Sequence, residues 1–451
     1  MLKAIVLAAG SGTRMKSNKP KCLHKILGRT MLNIVLDTLK ESDISDIIVV
    51  TGYGEEQLRK SVSVDVKFAR QAEQLGTGHA VMAAKEFINE NDDFLVLYGD
   101  IPMITEDSIN KFIEAHTKEG NAITVVSTRI DNPFGYGRII RPVAEGQLLR
   151  IVEHRDLIDG QELVNEINTG IYIFNGKALL DALPLIKPQN AAGEYYLTDA
   201  LEIIQSHGLK SGVVLAPDAS EFAGINNRIQ LAEACEVLQR RINDKLMMEG
   251  VTIIDPKSAW IGQDVTIGAD TVIYPGVILE NSRIGENCVI GPNTRIVGSE
   301  ISDNAEIDSS IVLDSSVGEY TQIGPFTYIR PNSHVGAHSK IGDFVEVKNS
   351  TIGDYTKAAH LTYIGDSDVG NHINFGCGTV TVNYDGKKKY RTVIEDNAFI
   401  GCNTNLVAPV TVKEGAYTAA GSTITEDVPK KALGIARARQ INKEGWTLKS
   451  R

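Results

Sequence analysis

The chain has 451 residues, 42% hydrophobic and 23% charged, and a formal net charge of −11. That length exceeds one compact core and predicts two or three domains. The acidic balance argues against a general binder of nucleic acid or of an anionic membrane, because neither polyanion attracts an acidic surface. Five scattered cysteines (Cys22, Cys235, Cys288, Cys377, Cys402) form no CxxC pair. They suit a reducing cytoplasm, and neither a disulfide framework nor a zinc site.

The opening "MLKAIVLAAG" is apolar but breaks at once into Gly-Ser-Gly, so it reads as a buried strand and not as a signal peptide. No apolar run is long enough to span a bilayer. To about residue 225, short apolar runs ("KAIVLAAG", "DIIVVTGY", "DFLVLYGD", "AITVVST") alternate with stretches of helical spacing ("MLNIVLDTLKE", "GTGHAVMAAKEFI"). That alternation predicts an α/β domain over 1–228, with a mostly parallel sheet covered on both faces. The glycine-rich turn "LAAGSGTRM", 7–15, follows the first strand. Such a turn exposes backbone N–H groups at a helix start, where phosphate oxygens bind. It matches neither GxGxxG nor GxxxxGK[ST]. Arg14 and Lys21 add cations beside it. "VLYGD" delivers Asp100 at the end of a strand, into the crevice where open α/β sheets bind ligands. A carboxylate there, with phosphate oxygens and water, is a donor set for Mg²⁺.

Residues 229–249 carry Ile229, Cys235, Leu238, Ile242 and Leu246 at helical intervals, with Gly250 as the stop, and predict a helix, either a link between domains or the last helix of the first. The texture then changes over 250–451. Ile261, Ile267, Ile273 and Leu279 are spaced by six, as are Val317 to Val347 and Ile394 to Ile424. Glycine often follows the aliphatic and is expected to allow the turn. This hexapeptide period predicts a parallel β-helix whose stacked coils bury one continuous core. "TVNYDGKKKYRT", 381–392, interrupts the period and should loop out of the coil. The basic tail "KKALGIARARQINKEGWTLKSR" reads either as a solvated tail or as an arm that meets phosphates.

His360 falls two residues after the register position Ala358, near a turn, where side chains face outward. Burial does not explain it. Arg330 and Lys348 lie on nearby coils and Tyr363 one short strand on, so the four can converge. Two cations suit a phosphate monoester, and an imidazole suits proton removal near neutral pH.

"LAAGSGTRM", "KPKCLH", "QAEQLGTGHA", "LYGD", "GYGRI", "IVEH", "EINTGIY", "GEYYLTD" and "GINNR" occur in the order found in sugar-1-phosphate nucleotidyltransferases. Followed by hexapeptide repeats, the chain resembles, over essentially its whole length, the bacterial family of bifunctional N-acetylglucosamine-1-phosphate uridyltransferases/glucosamine-1-phosphate N-acetyltransferases. The resemblance implies a Rossmann-like N-terminal domain, a left-handed β-helix and a homotrimer. It implies that Leu7, Ala8, Ala9, Gly10, Gln71, Gly76 and Thr77 hold the uridine nucleotide. Arg14 and Lys21 would face its triphosphate, and Asp100 and Asn226 would bind Mg²⁺. Gly137, Glu153 and Asn168 would hold N-acetylglucosamine. In the second domain His360 would be the general base, Arg330 and Lys348 the phosphate clamp, and Tyr363 and Asn374 sugar contacts. Cys377, Asn383, Tyr384, Cys402, Ala420 and Arg437 would line the acetyl-CoA cleft.

Three departures stand out. Ser11 replaces a lysine common in relatives, and Cys377 and Cys402 replace alanine and serine. An acyl-cysteine is not required of the two thiols, since direct attack needs only a base and an oriented amine. The implied function is N-acetylation of glucosamine-1-phosphate, then coupling of the product to UTP for cell-wall precursors, in the cytoplasm. One competing expectation is a single-activity nucleotidyltransferase with a structural or regulatory β-helix. Another is a non-enzymatic sugar-nucleotide scaffold.

Overall fold

The computed structural model describes residues 1–142 and 149–446. The chain divides into two compact units, Met1–Leu238 and Gln239–Arg451. Among the described residues, no helix is long and apolar enough to cross a membrane.

The first unit is built on strands β1 (Leu2–Leu7), β2 (Ile47–Thr51), β3 (Lys67–Arg70), β4 (Asp93–Tyr98), β5 (Ile123–Arg129), β6 (Glu166–Asn175) and β7 (Ser211–Ala216). They lie in the order β7–β5–β6–β4–β1–β2–β3. Neighbours run parallel except β6, which is antiparallel to both β4 and β5. Two short strands, Arg138–Ile140 and Arg150–Val152, extend from β6 as an antiparallel ribbon. Side chains alternate across a strand, and β1 shows the consequence. Ala4, Val6 and Ala8 enter one core with Leu32, Val35 and Leu36, while Ile5, Leu7 and Ala9 enter the opposite core with Val81, Phe174 and Leu179. Both faces are covered, so β1 reads as an unbroken apolar run. "MLNIVLDTLKE" is the helix Met31–Glu41, started by Thr30, whose side chain accepts from the N–H of Asn33. "GTGHAVMAAKEFI" is helical only over Thr77–Ala83, with one 3-10 turn at Lys85–Phe87.

The linking helix spans Arg228–Met248. Leu238 packs with Ile26, Met31 and Ile34 of the first unit, and Leu246 with the core of the second. Ile229, although in step with these, is exposed. Two buried polar residues do the work that apolar spacing does not reveal. Gln239 donates to the carbonyls of Lys257 and Ala259, and Asn243 to those of Pro256 and Ala259. They satisfy backbone acceptors at the first coil that no preceding coil pairs.

The second unit winds through three parallel sheets of eleven, ten and nine strands among the described residues. Residues three strands apart in sequence stack in register, as in Ile341↔Ala358↔Phe375↔Ile400↔Thr418. Their side chains form one continuous buried column. Where the six-residue spacing lapses, a corner is one residue shorter: Ile284 follows Leu279 by five, and Ile352 follows Val347 by five, and both stay buried.

The glycines serve differently from expectation. Most of those after the aliphatics, Gly285 and Gly336 among them, are not left-handed turn residues, although Gly298 (φ 60°) and Gly324 (φ 103°) are. After Gly285 and Gly336 the left-handed backbone falls two positions later, on Asn287 (φ 54°) and His338 (φ 54°). Glycine is needed because the next coil is too close. A Cβ on Gly285 would lie 2.6 Å from the nitrogen of Asp303. The turn residues stack in turn: the rings of Tyr320, His338, Tyr355 and His372 follow one another at 5.0, 4.7 and 4.9 Å.

Candidate active sites

The carboxyl ends of β1 and β4 open on a cavity of about 570 Å³. The turn after β1 lines it from Leu7 to Arg14. No α-helix follows that turn: a single 3-10 turn, Thr13–Met15, stands there. The turn therefore offers an anion its N–H groups and side chains, not a helix dipole. Gly12 is left-handed (φ 63°), and a Cβ there would lie 2.6 Å from Cβ of Lys21. A Cβ on Gly10 meets nothing.

Four expected residues meet at one point. Lys21 forms an ion pair with Asp100 and donates to Oδ1 of Asn226 at 3.0 Å, and Arg14 donates to the same oxygen at 2.9 Å. A positive charge thus already sits on one carboxylate and one amide oxygen. That donor set fits Mg²⁺, which takes few protein ligands and completes its shell with water and phosphate oxygens. Cys22, beside Asp100, is buried, and burial pushes its thiol up to about 12. It stays protonated and packs.

At the other end of the cavity, Gln71 is buried and its amide nitrogen faces two acceptors, the carbonyl of Gly76 and Nδ1 of His79, each at 3.1 Å. His79 lies against Tyr195, which ties the loop further: the N–H of Gly78 donates to its carbonyl at 2.7 Å. Gln74 donates to the carbonyl of Ala9 at 2.7 Å. His79 is invisible to a motif reading, except that "GTGHA" places it at the start of a helix.

Gly137, Glu153 and Asn168 gather behind the wall formed by their neighbours Tyr136 and Thr169. A Cβ on Gly137 would lie 3.3 Å from both carboxylate oxygens of Glu153. Asn168 donates through its backbone to the carbonyl of Gly137 at 2.9 Å and through its amide to Tyr172 Oη at 2.7 Å. A bulge in β6 between Asn168 and Tyr172 aims it. Burial, then the charges of Asp156 and Asp199, raise the carboxyl of Glu153. Arg138, almost wholly buried, donates to the carbonyl of Tyr136. "GYGRI" held this residue in plain view, but only the fold shows that it shapes the wall.

On the β-helix, His360 ends the strand Lys357–His360 and is exposed. One coil earlier stands Asp343, with Oδ1 2.7 Å from Nδ1 of His360. The hydrogen bond to His360 holds the Asp343 carboxyl below its ordinary range. Asp343 precedes His360 by one coil and was identifiable only once that coil length was known. Register then extends the column. Cys377, Cys402 and Ala420 each follow a paired residue (Phe375, Ile400, Thr418) by the same two positions, as His360 follows Ala358. Arg437 approaches the end of this column, its Cδ 3.9 Å from where Gly421 would carry a Cβ.

Around the next corner, past left-handed Leu361 (φ 44°), a second group forms. Arg330 pairs with Glu346 at 2.7 Å, and Lys348 with Asp366 at 3.3 Å. Asn383 donates to Asp366 and, at 3.4 Å, to Tyr363 Oη. Asn383 therefore stands with the cation group, not on the column with Cys377 and Cys402. Tyr384 lies in the looped segment, bridged to Lys389. Asn374 opens the strand one coil beyond that of His360 and pairs with Lys357. The loop brings Lys389 beside Lys348, whose charge lowers the proton affinity of Lys389. "KKK" in that loop was the available signal. The tail adds one more strand, Leu433–Gly434, to the β-helix; from Ile435 to Trp446 it is exposed, and its last five residues lie outside the described residues.

Fold and sites together define a two-part transferase, a nucleotidyltransferase domain joined to a hexapeptide-repeat domain. The family description "MobA-like NTP transferase domain" matches residues 4–164. "Bacterial transferase hexapeptide (six repeats)" matches 258–298 and 314–349, and "Hexapeptide repeat of succinyl-transferase" matches 283–315 and 391–426. The chain is 51% identical over 448 residues to the bifunctional protein GlmU of Clostridioides difficile (strain 630), covering 99% of this chain and 97% of that one. It is 52% identical over 450 residues to the bifunctional protein GlmU of Clostridium novyi (strain NT), covering 99% and 98%. The chain belongs to the GlmU family of bifunctional enzymes, with an N-terminal uridyltransferase domain and a C-terminal hexapeptide acetyltransferase domain. Family and domain accord with a divalent-metal requirement, and the repeats with oligomerisation.

Proposed function

We propose that the C-terminal unit acetylates glucosamine-1-phosphate from acetyl-CoA, and that the N-terminal unit couples the product to UTP, giving UDP-N-acetylglucosamine and pyrophosphate. The observation that carries this reading is the Asp343–His360 pair on an outward column of the β-helix. A coil that only buries aliphatics has no use for it.

In the acetyl transfer, Arg330 and Lys348, with Lys389, clamp the phosphate. An anion between Lys348 and Lys389 relieves the repulsion of two facing ammonium groups. Tyr363 and Asn374 position the sugar. His360 takes a proton from the 2-amino group through Nε2 as nitrogen attacks the thioester carbonyl, and the CoA thiolate leaves. Asp343 holds Nδ1–H and stabilises the imidazolium that forms. The arm of acetyl-CoA lies along Cys377, Cys402 and Ala420 toward His360, with Arg437 at its charged end.

In the uridylyl transfer, an oxygen of N-acetylglucosamine-1-phosphate attacks the α-phosphorus of UTP and the bond to the β-phosphate breaks. Arg14 and Lys21 neutralise the charge that moves onto pyrophosphate. Asp100 and Asn226 would hold Mg²⁺, which supplies further neutralisation of the phosphates when bound. Gln71, Gly76 and Thr77 hold the base; Gly137, Glu153 and Asn168 hold the sugar. The enzyme works in the cytoplasm as a homotrimer, the exposed column of one copy facing a neighbour. A native mass equal to one chain would sink the trimer.

The test compares wild type with His360→Ala in release of free thiol from acetyl-CoA with glucosamine-1-phosphate. The variant should lose this rate and keep UTP-dependent pyrophosphate release. Absence of thiol release from the wild type, with UDP-N-acetylglucosamine still formed from the acetylated sugar phosphate, overturns the acetyltransferase half.

A further inference from the structure

Cys377 and Cys402 are distant in sequence, yet they leave the same corner of successive coils, because Phe375 and Ile400 pair in register two positions before them. The corner is closely held. The N–H of Asn403 donates to the carbonyl of Cys377 at 2.8 Å, and a Cβ on Gly376 would lie 2.7 Å from Cα of Cys402. Paired strands run about 4.8 Å apart. That spacing falls within the roughly 4.4–6.8 Å between Cα atoms that a disulfide bridges. Both thiols are free; Cys402 is exposed and Cys377 partly so. The other three cysteines differ: Cys22 and Cys288 are buried, and Cys235 sits in the linking helix, its thiol raised by burial.

We infer that Cys377 and Cys402 are a redox-active thiol pair, a reversible modification site that a small soluble disulfide converts to an internal disulfide. The Cys402 thiolate attacks one sulfur of the small disulfide, forming a mixed disulfide and releasing one small thiol. The Cys377 thiolate then attacks the Cys402 sulfur, the mixed bond breaks, and the second small thiol leaves. The protein loses two protons and two electrons, and both end on the two released thiols. The consequence for activity rests on the proposed path of acetyl-CoA along this column. A bridge between the two side chains narrows the space in which the thioester arm lies, two coils or fewer from His360.

The test incubates the full chain with bis(2-hydroxyethyl) disulfide, blocks remaining thiols by alkylation and maps the peptides by mass. The expected result is a peptide pair joined through Cys377 and Cys402, together with loss of acetyl transfer, unchanged pyrophosphate release and recovery on reduction. Cys402→Ser, read by mass alone, should yield only a mixed disulfide at Cys377. Mixed disulfides on both thiols of the wild type with no joined pair, or no reaction at either, overturns the inference and leaves the acetyl-CoA path standing. A joined pair with undiminished acetyl transfer sustains the thiol pair and overturns that path.

Discussion

Oδ1 of Asp343 lies 2.7 Å from Nδ1 of His360, one coil apart on the same column of the β-helix. The carboxylate fixes which imidazole nitrogen faces outward and leaves Nε2 to the substrate. Asp343→Asn should lower kcat of acetyl transfer about 10- to 100-fold, part of the roughly 10²–10⁴ that a positioned base supplies. KM for glucosamine-1-phosphate should stay unchanged, since the phosphate clamp is elsewhere. Asp343→Glu should restore part of the rate. A variant that raised KM and left kcat intact would place Asp343 in substrate binding instead.

Lys21 bridges Asp100 and Asn226, so it belongs to the first site alone. Lys21→Met should abolish most pyrophosphate release, by about 10²-fold or more, as loss of a charge-stabilising group does. Chelation of divalent metal should stop the same reaction. Acetyl transfer should survive both treatments, because no described residue of its groups depends on Lys21 or Asp100. Parallel loss of both activities after chelation would contradict two independent chemistries.

With its amide nitrogen turned to Gly76 and His79, Gln71 has its oxygen left to accept. An acceptor suits the N3–H of uracil and opposes the bare N3 of cytosine. His79→Phe keeps a ring against Tyr195 but removes the acceptor that orients Gln71. Preference for UTP over CTP, measured as a ratio of kcat/KM, should fall about tenfold, the order of one hydrogen bond left unspecified. An unchanged ratio would mean that Gly76 alone orients the amide.

Burial, then the charges of Glu202 and Asp156, raise the carboxyl of Asp199 to about 6. A carboxyl raised by folding favours the fold only while it is protonated. Its contribution is complete below the ordinary carboxylate value of about 4 and is lost as pH rises through about 6. Asp199→Asn should therefore leave the helix Asp199–Ser206 unchanged at pH 4 and increase its protection from hydrogen exchange at pH 7, relative to wild type. Equal protection at both values would show that Asp199 ionises in the fold without strain.

Local composition was enough for much of the architecture. A strand buried on both faces must be apolar throughout, so β1 and β4 announced themselves. A helix with one buried face must repeat at its own period, so Met31–Glu41 matched its motif residue for residue. Polar positions were harder to read. Gln239 and Asn243 look like surface residues of a charged helix, and only the unpaired carbonyls of Pro256, Lys257 and Ala259 explain them. Glycine after many of the aliphatics looks like a turn residue, whereas at Gly285, Gly336 and Gly376 the neighbouring coil leaves no room for a side chain.

The six-residue period and the order of the nucleotide motifs came from the chain alone, because each records a rule that neighbouring residues obey: one aliphatic per coil face, one glycine-rich turn per strand end. Which residues share a column came only from the fold. Its coils vary in length as corners shorten and one loop is inserted, so sequence distance does not convert to a stacking partner. Asp343 beside His360, and Cys377 beside Cys402, are neighbours because parallel pairing carries each coil's corner onto the next.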